Sequence, residues 1–154
     1  MPAASTYEIS VRPKAFEKRM GIICGRWGNI VLTLDDRGYV SVERRSNQFS
    51  FTTDTCIRSK KPLVPGSWSR LAVTYDLERM RLYVDGELQS QIEVKPNRYD
   101  KSWGSKDWNY CSHEFNNELF FGAEDENLKP INVFNGDIRQ IRIYGRNLQP
   151  VEFL

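Results

Sequence analysis

The sequence predicts an all-β fold, an antiparallel two-sheet sandwich or jelly roll, and three observations carry that expectation. Apolar and polar residues alternate with a period of two through most of the chain, as strands with one buried face require. Turn chemistry built on Gly, Pro, Asn and Asp recurs between these runs at close spacing. No window of about eleven or more residues shows a convincing helical period, so helices of ordinary length are not expected. Roughly nine or ten short strands separated in this way suit a sandwich.

The elements follow in order. Tyr7-Glu8-Ile9-Ser10-Val11 alternates and Pro13 ends it, giving a first strand. The stretch from Gly21 to Gly28 is strand-like; Cys24, Arg26 and Trp27 interrupt its glycines, so it is no phosphate-cradling loop. Ile30, Leu32 and Leu34 alternate with Val31, Thr33 and Asp35, Asp36-Arg37-Gly38 turns the chain, and Tyr39-Val40-Ser41-Val42-Glu43 returns. Residues 29–44 therefore read as a hairpin with Gly38 at positive φ. Phe49-Ser50-Phe51 alternates again, and Pro65-Gly66 is a turn. Leu71, Val73 and Tyr75 then alternate with Ala72 and Thr74, and Met80, Leu82 and Val84 with Arg81 and Tyr83. Asp85-Gly86 is a strong hairpin signal, because a type I′ turn needs positive φ at both central residues. Leu88, Ser90, Ile92 and Val94 continue beyond it, so 69–94 reads as a three-strand meander. Glu118–Ala123 and Asp137–Tyr144 complete the series. In the last, Ile138 is out of phase with Ile141 and Ile143, and a bulge near Arg139-Gln140 reconciles them. Asn147–Phe153 has room for one helical turn.

A chain of 154 residues suits one domain, taken as 1–154. At 40% hydrophobic and 27% charged residues it has a globular rather than a disordered composition. The 22 Lys+Arg against 20 Asp+Glu leave a net charge of +2, which is no nucleic-acid footprint. No run approaches the ~18–20 apolar residues of a membrane span, so membrane insertion is not expected. The opening Met-Pro-Ala-Ala-Ser-Thr lacks the basic flank and apolar stretch of a secretory signal. Cys24, Cys56 and Cys111 lie far apart without C-x-x-C spacing, which argues against structural zinc. Their odd count, with no Asn-x-Ser/Thr acceptor, tilts the expectation toward an intracellular location, though the count also permits one disulfide plus a leftover thiol.

Three ordered segments are familiar. Gly66-Ser67-Trp68-Ser69-Arg70-Leu71-Ala72-Val73-Thr74 fits the pattern G-x-W-x-x-L-A-V-T, and Leu82-Tyr83-Val84-Asp85-Gly86 fits L-Y-V-D-G. Phe134 to Glu152, through Ile141-Arg142-Ile143-Tyr144-Gly145-Arg146-Asn147-Leu148, is similar to a closing strand and tail of the form G-x-I-D-E-V-R-I-Y-x-R-x-L-x-x-x-E. Together with Tyr7–Pro13 these resemble the laminin G-like, or concanavalin A-like, jelly-roll superfamily. The resemblance implies a core or sandwich-edge position for Trp68. Two departures stand out. The acidic pair before V-R-I-Y is Arg139-Gln140 here, so any role of that pair is not carried over. The family also commonly has further strands before the one matched to Tyr7–Pro13. The expectation is then a domain excised from a larger protein, or missing strands supplied by another segment or chain. An edge left open would invite a homo-oligomer, or flanking domains that complete the sheet.

Catalysis is not expected. Glycan-hydrolysing members of the superfamily carry carboxylates alternating along one strand, to flank the scissile bond from one face. Here Glu8 is followed by Ser10, Glu87 by Gln89 and Glu118 by Phe120. His113, the lone histidine, two residues from Cys111, reads as an ordinary loop residue beside an inert thiol rather than a nucleophile pair. Some members bind calcium at a sandwich rim, and Glu124-Asp125-Glu126-Asn127 offers clustered hard oxygens, with Asp125 and Glu126 the metal candidates and Asp54 and Asp85 weaker ones. The same cluster also reads as a solvated turn. Arg44-Arg45 and Arg58-Ser59-Lys60-Lys61 read as solvated loop charges.

The strongest functional lead is the long loop between Lys95 and Asn117. Tyr99, Trp103, Trp108 and Tyr110 are interleaved there with Asn97, Asp107 and Asn109. Sugar rings stack a C–H face on an aromatic ring, and their hydroxyls need amide or carboxylate partners. The expected function is a non-catalytic recognition module that binds a carbohydrate through 97–113. A partner protein is the main alternative, since Trp, Tyr and Arg also make protein hot spots. A third reading has the tryptophans folding back to cover an open sheet face. The loop's composition does not separate the three.

Overall fold

The computed structural model describes residues 4–25, 30–44, 55–76, 78–94, 119–126 and 129–153. In chain order its strands are β1 (Ser5–Pro13), β2 (Met20–Gly25), β3 (Val31–Leu34), β4 (Val40–Arg44), β5 (Thr55–Arg58) and β6 (Ser69–Tyr75). They continue as β7 (Arg79–Val84), β8 (Glu87–Glu93), β9 (Leu119–Phe121), β10 (Glu124–Glu126), β11 (Lys129–Ile131) and β12 (Gly136–Tyr144). Two five-stranded sheets result, sheet A in the order β12-β1-β6-β7-β8 and sheet B in the order β5-β4-β3-β2-β9, with β10 and β11 forming a separate two-stranded ladder. Every pairing is antiparallel. The architecture is the expected all-β sandwich.

Period-two alternation decides which side chains meet. Tyr7, Ile9 and Val11 of β1, Leu71, Val73 and Tyr75 of β6, and Met80 and Leu82 of β7 form one wall of the core. Met20, Ile22 and Ile23 of β2, Leu32 and Leu34 of β3, Val40 and Val42 of β4 and Ile57 of β5 form the other. Each fully buried aliphatic side chain contributes about 1.5–3 kcal/mol relative to exposure, so this shared layer holds the sheets together.

The turns behave as their residues require. Gly38 has φ 85°, and Asp85 and Gly86 have φ 52° and 82°, the positive pair of a type I′ hairpin. In β12, Gln140 has φ 54° where the register against β1 slips between Glu8 and Ser10, which is the bulge that the phase of the isoleucines demands. Pro150–Glu152 forms a single 3₁₀ turn.

Strand β1 is not an edge. It pairs with β6 on one side and with β12, from the far end of the chain, on the other. The outer face of the adjoining β6 and β7 is covered by the C-terminal tail: Leu148 and Phe153 pack on Ala72 and Tyr83, with the Tyr83 and Phe153 rings edge-on at 4.9 Å. Thr6 Oγ1 pins the tail, donating to Arg146 O and accepting from Leu148 N, both at 2.9 Å.

Several local expectations are corrected. Twelve strands are present among the described residues, β5 and the β10–β11 ladder being additional. Glu124-Asp125-Glu126 is strand rather than turn, because Asp125 and Glu126 pair with Pro130 and Lys129. Arg44 and Arg58 end strands instead of lying on loops. Trp68 joins neither apolar cluster; it is half-buried on the outer face of sheet A beneath arginine side chains. Phe49-Ser50-Phe51 and Trp27 lie outside the described residues.

Glycine is required at position 21 for lack of space. A Cβ there would stand 2.4 Å from the Ala123 carbonyl carbon and from Glu124 N, both backbone atoms that cannot swing aside. Gly21→Ala should therefore cost about 1–3 kcal/mol in urea unfolding. Gly145→Ala, with nothing within 4 Å, should stay within about 0.5 kcal/mol of the parent.

Candidate functional site

Because Leu32, Leu34, Val40, Val42 and Ile57 point into the core, their neighbours Val31, Thr33, Ser41, Glu43, Cys56 and Arg58 lie on the outer face of sheet B. The registers align them in rows across the strands. Cys24, Val31, Glu43 and Cys56 form one row, and Gly21, Thr33, Ser41 and Arg58 the next.

Arg19 dominates one end of this face. Its Nε and Nη2 donate to the two oxygens of Glu124 at 2.7 and 3.0 Å, and its Nη1 donates to Glu43 Oε1 at 2.9 Å. Asn132 Nδ2 adds a bond to Glu124 Oε1 at 3.0 Å. The hydrogen bonds to Glu124 raise the Arg19 pKa, and Glu43 acts in the same sense. Bridging Glu124, beside β2, to Glu43, on β4, lays the guanidinium across the face. At the other end Arg58 pairs with Asp35 and stacks over the Tyr39 ring at 4.2 Å. The Ser41 hydroxyl lies between these ion pairs, and Thr33 beside it is buried. The result is a polar strip of carboxylate, guanidinium and hydroxyl groups held in fixed positions, suited to hydrogen-bonding a polyhydroxylated ligand.

Nucleophilic chemistry is disfavoured on this face. Burial, and then the Glu43 carboxylate, push the Cys56 thiol up, outweighing Arg19 and Arg58, so the reactive thiolate is scarce. On the other sheet Glu8 is buried, and its cross-strand neighbours are Ala72 and Arg142, neither a carboxylate partner for hydrolysis.

The candidate ligand-binding residues Asn97, Tyr99, Trp103, Asp107, Trp108, Asn109 and Tyr110, with Cys111 and His113, lie outside the described residues. Their flanks are informative. The segment that carries them leaves β8, which packs near β5 at one edge of the sandwich, and re-enters at β9, the opposite edge of sheet B. Four strand spacings, about 19 Å, separate those edges.

Of the calcium candidates, Asp125 and Glu126 are consecutive strand residues, so their side chains project to opposite sides of the β10–β11 ladder. Glu124 shares a side with Glu126, but both of its oxygens are occupied by Arg19 and Asn132. Asp85 Oδ1 accepts from Arg70 N of the neighbouring β6 at 2.7 Å, and Asp54 lies outside the described residues. Among the described residues no cluster of three or more His, Cys, Asp or Glu is arranged to hold a metal ion. The described residues alone therefore do not make a calcium cage. Arg19, Glu43 and Asp35 were not singled out in the sequence; Glu43 and Asp35 had a signal in their place in the 29–44 hairpin, and Arg19 had none.

Comparison with known proteins bears on this geometry. A laminin G family model, described as the concanavalin A-like lectin/glucanases superfamily, matches residues 2–152. Pappalysin-1 of Mus musculus is 32% identical over 97 residues, which cover 54% of this chain but 6% of that protein. Among solved structures, the Ruminococcus gnavus IT-sialidase CBM40 bound to alpha2,3 sialyllactose superposes with a TM-score of 0.73 at 14% identity, over 98% of this chain and 80% of that one. The K499G mutant of NanB sialidase from Streptococcus pneumoniae gives 0.75 at 13% identity, over 99% of this chain and 23% of that one. The binding domain of botulinum neurotoxin DC in complex with rat synaptotagmin II gives 0.64 at 13%, over 97% and 34%.

The two ion pairs make separate forecasts. Arg19→Leu leaves the Glu124 carboxylate with the Asn132 amide alone, and the expected stability loss is about 1–3 kcal/mol. Adding Glu124→Gln should recover part of it, as a double-mutant cycle in urea would show. Burial raises the Asp35 pKa, but the N–H groups of Tyr39 and Arg37 and the Arg58 guanidinium more than offset that and hold it low. A depressed carboxyl stabilises the fold above its unfolded pKa and loses that contribution as pH falls. Asp35→Asn should accordingly flatten the acid loss of stability below about pH 4.

Proposed function

The chain belongs to the concanavalin A-like lectin/glucanase superfamily, and from that premise we propose that it is a non-catalytic, lectin-like recognition module whose ligand is a glycan. The observation that carries the reading is the polar strip on sheet B, where Arg19 is clamped by Glu124 and Glu43 at one end and Arg58 by Asp35 at the other. Vicinal sugar hydroxyls are recognised by such fixed charged and hydroxyl groups, and a rigid sheet holds the groups in place before the ligand arrives. We assign the stacking contacts to Tyr99, Trp103, Trp108 and Tyr110, with Asn97, Asp107 and Asn109 bonding hydroxyls. The segment that carries them joins strands at opposite edges of the sandwich, and this supports a loop within reach of sheet B. The sialyllactose in a structurally similar carbohydrate-binding module agrees with a glycan ligand.

A protein ligand is the second reading, favoured by the similar neurotoxin domain found with synaptotagmin II. The domain would then act as an interaction or assembly unit of a larger protein, through the same loop or through an open edge such as β12.

A glycan array on the purified chain, run with calcium and again with chelator, tests the first reading. A specific hit is expected, lost in Trp103→Ala or Trp108→Ala with the melting temperature nearly unchanged. A blank array with well-folded protein would transfer the assignment to a protein ligand. If either substitution instead costs ~3–5 kcal/mol of stability, the tryptophans are structural cover. Loss of the hit in the chelator lane would assign a metal to the site.

A further inference from the structure

The outer face of sheet A carries a second group of residues that the sheet B strip does not use. Trp68 lies there with two guanidinium groups over its ring, Arg139 at 4.0 Å and Arg12 at 5.1 Å from the centroid. Arg12 is neutralised, since its Nε and Nη2 donate to Asp137 Oδ2 at 3.0 and 2.8 Å. Arg139 has the indole and, among the described residues, no carboxylate.

Strand register puts it there. Asp137 stands opposite Arg12 and Arg139 opposite Ser10, on the outer face, and the bulge begins at the next residue, Gln140, whose Oε1 accepts from Ser10 Oγ at 3.3 Å. Arg70 also stands opposite Ser10, and Arg142 opposite Glu8. Strands β12, β1 and β6 therefore bring Arg12, Arg70, Arg139 and Arg142 to this face against Asp137 and the buried Glu8. Arg139-Gln140 stands at the position where the resembled family carries an acidic pair.

A guanidinium stacked on an indole keeps its N–H edge free, and the ring limits its rotamers. That is the arrangement for bidentate recognition of a sulfate or carboxylate, and a lysine ammonium cannot reproduce it. We propose that the Trp68–Arg139 platform on the outer face of sheet A binds the oxyanion group of an acidic glycan, independently of the strip on sheet B.

The test is binding to a heparin hexasaccharide, which bears sulfate, and to a hyaluronan hexasaccharide, which bears carboxylate alone, in low and in physiological salt. Binding is expected to at least one, and the arm that binds identifies the oxyanion. Arg139→Ala should weaken it about tenfold or more, and Arg139→Lys should restore little of the loss. Arg37→Ala, which removes an exposed charge from the β3–β4 turn, should leave it within about twofold, and all variants should melt as the parent does. Binding that survives Trp103→Ala separates this platform from the glycan site proposed above. Equal losses in Arg139→Ala and Arg37→Ala would mean diffuse attraction to positive charge and would overturn the proposal. Full rescue by lysine, or no binding to either hexasaccharide, would overturn it as well.

Discussion

The fold depends on one long-range pairing, that of β1 with β12. A strand inside a sheet has donors and acceptors on both edges, and each buried one must be bonded. β6 satisfies one edge of β1, and only β12, from the other end of the chain, satisfies the second. Tyr7, Ile9 and Val11 can then be buried in the core while Thr6, Glu8 and Ser10 are buried on the opposite side. A contact of such sequence separation is slow to form because loop closure precedes its reward. Once formed, it fixes the tail as well, since the Thr6 hydroxyl holds both Arg146 and Leu148.

The two outer faces of the sandwich solve the placement of charge differently. On sheet B the two guanidinium groups of the strip are matched: Arg19 by Glu43 and Glu124, Arg58 by Asp35. The groups are rigid and nearly neutral in sum, as hydrogen-bonding to uncharged hydroxyls requires. On sheet A the bulge at Gln140 turns an extra residue outward, and the Trp68 indole takes the place that a carboxylate would fill. One surface is thus built of satisfied pairs and the other of an unmatched cation on an aromatic support.

Much of the fold was legible because its signals are local. Asp85-Gly86 announces its hairpin by backbone sterics alone, and the slipped phase of Ile138 against Ile141 announces the bulge. The β10–β11 ladder left no such trace, being three residues a side with a proline in one strand. Trp68 was misplaced because a motif tryptophan reads as core until its arginine neighbours are known. The sheet B strip was illegible for a different reason. Arg19 finds its partners 24 and 105 residues away, and nothing in the residues around it indicates either. The aromatic loop was the reverse case, conspicuous in composition and silent about geometry.

The β1–β12 pairing also decides how the domain can be connected to other protein. Thr6 stands opposite Tyr144, so the chain enters and leaves sheet A on adjacent strands at the same end. A unit with side-by-side entry and exit can be spliced into a surface loop of a host without prising the host apart. Joined to a host in that way, it would act as a cassette.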